Sequence, residues 1–184
     1  MNVINATLMV PFTPALRATD WALFQNYYDS GMADTSVTVA WFKNTVFNPY
    51  GHIAMGVGNG PLVGLNPVSD FEFADDVAMA TVGCYFGLAC DPLAIVTVPG
   101  VISPQLSGEG VEQDRVSMSI SADQGIAIQT AIQLSKDNPP YFSVKGPQPA
   151  CDCASWAQRM LGFGGIASGP GTWEPAQLMK QLEQ

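Results

Sequence analysis

The sequence predicts an α+β fold, and three observations carry that expectation. Eighteen glycines and fourteen prolines break the 184 residues into short elements, with neither an internal repeat nor a low-complexity segment. Gly58-Asn59-Gly60 separates two apolar runs, Gly51 to Val57 and Pro61 to Asn66, and its glycines suit the positive φ angles of a tight β-hairpin. Ser121 with Gln124 three residues on forms a capping box ahead of Ile128, Ala131 and Ile132, which recur at helical spacing until Asn138-Pro139-Pro140 stops the run.

The remaining elements follow in chain order. Thr19 can cap a helix over Asp20 to Ser30, and the β-branched and aromatic run Ser36 to Phe42 then reads as a strand. After the hairpin, Leu93 to Val98 is apolar, β-branched and ended by Pro99-Gly100, the pattern of a buried strand followed by a polar loop. Tyr141 to Lys145 is a short strand candidate. Cys153 to Leu161 is a helix ended by Gly162, and Trp173 to Leu182 is a last helix with Thr172 as cap and Pro175 in its first turn. The length fits one domain over residues 1–184, in which residues 1–45 form an N-terminal elaboration without an assigned role.

Composition narrows the partners. Hydrophobic residues make up 47% against 12% charged, the profile of a packed chain. A net charge of −9 repels phosphate backbones and anionic lipid, so nucleic acid is not an expected partner. No apolar run reaches the roughly 20 residues of a spanning helix, and Met1 to Arg17 lacks the basic start and apolar block of a secretory signal. The expectation is a soluble chain made in the cytoplasm without a signal peptide, with export, where it occurs, by a dedicated secretion system.

The chain has one histidine, so neutral-pH proton transfer through an imidazole falls to His52. In its strand His52 shares a face with Ala54 and Gly56, while Ile53, Met55 and Val57 take the other. A three-residue loop at Gly58 to Gly60 sets Val57 against Pro61 and therefore His52 against Asn66, with Cβ atoms about 5 Å apart. An amide there can fix the imidazole tautomer; Asp70, just beyond the strand, is the substitute. Cys153 follows the helix-incompatible Gly146-Pro147-Gln148-Pro149, which puts its sulfur at a helix start, where free N–H groups and the dipole lower a thiol pKa from about 8.5 towards neutrality. Cys153 is preferred to Cys151 as nucleophile because Cys151 precedes the helix. From the residues alone, a buried cysteine and a hydrogen-bonded strand histidine account for the pattern equally well. Cys151-x-Cys153 lacks the usual zinc-knuckle spacing, no Gly-x-Ser-x-Gly is present, and neither a metal nor a cofactor is expected. Cys84 and Cys90 flank an apolar stretch and read as buried thiols, with a local disulfide as the second reading.

Two segments carry a resemblance. Gly51-His52-Ile53-Ala54-Met55-Gly56-Val57-Gly58 in an early strand, with Asp152-Cys153-Ala154-Ser155-Trp156 running to Leu161 late in the chain, resembles the circularly permuted NlpC-like branch of the papain-like cysteine enzymes. In that group the histidine strand precedes the cysteine helix, and Asp152 stands where the family's motif has Asn. The likeness spans residues 50–184. It implies a small antiparallel sheet packed against the cysteine-bearing helix, with Cys153 as nucleophile, His52 as proton shuttle and Asn66 as third polar residue.

What the resemblance implies for function is hydrolysis of an amide through a thioester. The expected substrate is a peptide or peptidoglycan, cleaved by an amidase or endopeptidase that acts as a secreted antibacterial effector with a cognate immunity or delivery protein. The alternatives are a thiol acyltransferase or phospholipase, favoured if Phe71, Phe73, Tyr85 and Phe86 line an exposed patch, and a non-catalytic binding module.

Overall fold

A run of alternating Val and Thr makes the first strand, β1 (Thr35–Lys43), with every second residue from Thr35 to Val39 buried. In the computed structural model of the chain the described residues are 35–43, 51–85, 91–105, 110–145 and 150–184. Strands β2 (His52–Val57) and β3 (Val63–Pro67) follow, then helix α1 (Asp70–Tyr85) and the single turn α2 (Pro92–Ile95). Next come β4 (Gly100–Pro104), β5 (Val111–Ile120) and helices α3 (Ala122–Asp137), α4 (Cys153–Phe163) and α5 (Pro175–Leu182). The fold is α+β, with a five-stranded antiparallel sheet in the order β4-β3-β2-β1-β5.

The hairpin keeps the expected register. Met55 pairs with Val63, and continuing that antiparallel count brings His52 opposite Asn66. Of the two turn glycines only Gly58 takes a positive φ, 58°; the turn closes by Gly60 N–H donating to the Val57 carbonyl at 3.1 Å.

Helix α3 lies across one face of the sheet, and Gly125 makes the close approach possible. A side chain there would come within 2.9 Å of Thr35 Cγ2 and 3.4 Å of Val57 Cγ1. Ile53, Met55 and Val57 therefore face the helices, joined in the core by Leu65, Ile128, Trp156 and Leu161. Even-numbered β2 residues take the opposite face, where Ala54, Ala40 and Phe42 form a separate cluster with Leu62. Gln124 Nε2 donates to the Gly164 carbonyl at 2.9 Å, tying α3 to the end of α4.

Several expectations are corrected. Leu93 to Val98 is not a strand: Asp91 caps α2 by accepting from Leu93 N–H at 3.0 Å, Pro92 occupies its first turn, and only Val98 bridges, to Phe142. The polar loop after Gly100 is instead occupied by β4 and β5, and in β5 alternation places Arg115, Ser117 and Ser119 on one exposed side. Helix α1 was not anticipated. Helix α4 runs past Gly162 to Gly164, where Ile166 N–H donates to the Leu161 carbonyl at 3.0 Å and Gly165 takes φ 69°, closing a Schellman-type end. Glu174 rather than Thr172 is the residue before α5, although Thr172 Oγ1 accepts from Glu174 N–H. The helix expected over residues 20–30 lies outside the described residues. Cys84 is disulfide-bonded rather than a free thiol. Among the described residues no helix is long and apolar enough to cross a membrane.

Candidate active site

Residues 141–145 and 150–153 bring the cysteine to the sheet. Cys151 accepts from Ser143 N–H and donates its own N–H to the Tyr141 carbonyl, both at 3.1 Å, while Phe142 pairs with Val98 on its other side. Asp152 then caps α4 with a reciprocal box: Ser155 N–H donates to Asp152 Oδ1 at 2.8 Å, and Asp152 N–H donates to Ser155 Oγ at 3.1 Å. Cys153 is thus the first residue of the helix, as its position after the proline-rich segment suggests.

The sulfur reaches the seam between β2 and β3. Backbone amides of Ile53, Ala154 and Cys153 itself face it and favour the thiolate. In an antiparallel strand the N–H and C=O of one residue point to the same neighbour, and the Ile53 carbonyl points to β3, where it would lie 2.7 Å from a Cβ added at Gly64. Cys153 therefore lies where the β2–β3 ladder ends, one residue from His52. His52 approaches from the other face. Its ring lies over Gly64 on β3, and Nε2 is buried and has no hydrogen-bond partner among the described residues.

Electrostatics set the resting state, and burial dominates it. The thiol is 5% exposed, and burial pushes its pKa up to about 12, with the Asp152 charge adding to the rise. The expected depression at the helix start is overturned because desolvation outweighs the three amides. Burial alone lowers His52 to about 4, so thiol and imidazole are both neutral at pH 7. Asp152 is pushed up to about 7 by burial, against the amides of Ser155 and Ala154 and the Ser155 hydroxyl. Cys151 rises to about 11, mainly by burial.

Asn66 stands opposite His52 by register, but its Nδ2 donates to Ser103 Oγ on β4 at 2.8 Å. Asp70 begins α1. An open cleft of about 390 Å³ adjoins the cysteine turn, walled by Lys145, Cys151, Asp152, Ser155, Thr172 and Trp173. Lys145 Nζ lies 4.7 Å from the centre of a Trp173 ring and 2.9 Å from Asp91 Oδ2. The cleft meets Asp152; Cys153 is one residue behind its wall.

The chain matches no family model, no curated protein and no solved structure. Among the described residues no group of three or more His, Cys, Asp or Glu side chains is placed to hold a metal ion. Phe73 packs edge-on against the buried Phe142, with centroids 5.1 Å apart, which removes it from an exposed aromatic patch; the side chains of Phe71 and Tyr85, and Phe86, lie outside the described residues. Gly64 escaped the sequence reading. Its signal was a glycine inside a strand, the usual mark of a close approach by another group.

Proposed function

We propose that the chain is a cysteine hydrolase that cleaves an amide through a thioester, with Cys153 as nucleophile and His52 as base. The observation that carries this reading is the seat of Cys153: the first residue of α4, its sulfur faced by three backbone amides, beside the strand that holds the chain's one histidine. Because thiol and imidazole are both neutral at rest, we assign the proton a path across the β2–β3 seam, beyond the Met55–Val63 pair, from the sulfur to His52 Nε2 on the other face as the bond to the carbonyl carbon forms. Amides at the helix start stabilise the oxyanion. Collapse breaks the C–N bond, and the imidazolium returns the proton to the leaving amine. Water, deprotonated by His52, then attacks the thioester, and the proton it gave up restores the thiol.

Asn66, held by Ser103, serves as the third polar residue on the strand facing His52. The cleft beside Asp152 has the volume of an ordinary small-ligand site and suits a short peptide. A peptidoglycan stem peptide is the substrate we propose, with the protein acting as an exported antibacterial effector.

Purified protein incubated with peptidoglycan should release stem-peptide fragments detectable by mass spectrometry. Cys153→Ala should abolish release, and His52→Ala should lower it at least about a hundredfold, both with an unchanged circular dichroism spectrum. Unchanged release by either folded variant sinks the mechanism. The burial and neutrality of the thiol favour a second reading, a binding module without turnover, which predicts no acyl adduct on Cys153 with peptide or lipid substrates.

A further inference from the structure

Gly64 sits inside β3, where a glycine forfeits strand propensity and packing. Its backbone does not require glycine, because it is not among the glycines with positive φ. Space does. A Cβ at Gly64 would fall on His52 Nε2 and come within 2.6 Å of Cε1 and 2.7 Å of the Ile53 carbonyl. The imidazole thus fills the volume in which any other residue would put its own side chain. Ala54, also small and fully buried, lies on the same face of β2 and leaves the path to β3 open.

The two halves of the site lie on different sides of the sheet. Helix α3 covers the Val57 face, whereas alternation turns His52 to the face of Ala54. A side chain at Gly64 would displace the ring from its place over β3. We propose that Gly64 is a positioning residue of this site: its bare Cα seats the His52 imidazole over β3, at the seam that Cys153 reaches from the helix side. The consequence for catalysis rests on the hydrolase reading, whereas the seat itself is tested apart from it.

With a single histidine, the imidazole Cε1–H gives one resonance whose titration is followed by NMR. Gly64→Ala should drive the ring out of its seat, moving its titration upward from about 4 towards 6.5. It should also lower the unfolding temperature less in a His52→Ala background than in the wild-type chain, since the ring is then no longer there to be displaced. Peptide release should fall at least about tenfold, with a shifted pH profile. An unmoved His52 titration, or an equal loss of stability in both backgrounds, overturns the proposal, for the glycine would then serve only the Ile53 carbonyl. If Gly64→Ala does not fold, the double variant decides: recovery of folding on removing the imidazole supports the seat, and failure to recover overturns it. A moved titration with coupled stabilities, in a chain that releases no peptide even as wild type, leaves the seat standing and the hydrolase reading refuted.

Discussion

Asp152 holds two opposed roles. As N-cap it satisfies Ser155 N–H and fixes the start of α4, yet its charge raises both neighbouring thiols. Asparagine caps a helix about as well as aspartate without the charge. Asp152→Asn should therefore keep the helix and speed iodoacetamide capture of Cys153 several-fold at pH 8, measured in a Cys151→Ser background. The difference should vanish near pH 5.5, where Asp152 is protonated in the parent chain, because its pKa is about 7. Equal rates at pH 8 would show that the carboxylate does not control the sulfur. Cys153 and His52 were legible as candidates because the chain has one histidine and because a cysteine after a proline-rich segment marks a helix start. Their protonation states were not, since burial of 5% and 7% exposed side chains is decided by distant neighbours.

Helix α3 and the β2–β3 hairpin, whose signals are local, formed where the sequence placed them. Ser121 and Gln124 make the reciprocal box at α3, with Gln124 N–H donating to Ser121 Oγ at 3.2 Å and Ser121 N–H to Gln124 Oε1 at 3.0 Å. Ser121→Ala should cost about 1 kcal/mol in urea unfolding, and a loss indistinguishable from zero would mean that Gln124 holds the end alone. The hairpin register was equally local, because a three-residue loop counts out its own pairing. By contrast, Leu93 to Val98 carries strand-like residues, but Asp91 and Pro92 start a helical turn first. Strand β5 was hidden because its exposed polar residues imitate a loop, and β4 because it is short and bounded by Pro99-Gly100 and Pro104; they are strands through pairing with β1 and β3.

At the scale of the molecule, two buried groups give stability opposite pH dependences. His52 is lowered from 6.5 to about 4, so the folded chain binds fewer protons than the unfolded one between those values. Its contribution is present above pH 6.5 and lost as pH falls through 4. Asp152 is raised from 3.8 to about 7, so its contribution is present below pH 3.8 and lost as pH rises through 7. Each alone has a slope of about 1.4 kcal/mol per pH unit inside its window, with opposite sign. From pH 4 to 6.5 they nearly cancel. Urea-unfolding free energies should then rise with pH in Asp152→Asn and fall with pH in His52→Ala, across a range where the contributions of these two groups leave the parent chain nearly flat. Parallel slopes in the two variants would show that one of the groups is not buried as a neutral species.

The sequence by itself determined the α+β class, the β2–β3 hairpin and its register, the capped helix α3, and the place of Cys153 at the start of α4. Each follows from contacts between residues a few positions apart, where turn, cap and periodicity act directly. Only the tertiary structure decided that His52 reaches β3 over Gly64, that the Cys153 sulfur lies at the β2–β3 seam, and that both are neutral. Those properties depend on which distant surfaces exclude water and leave space, and no short stretch of sequence encodes either.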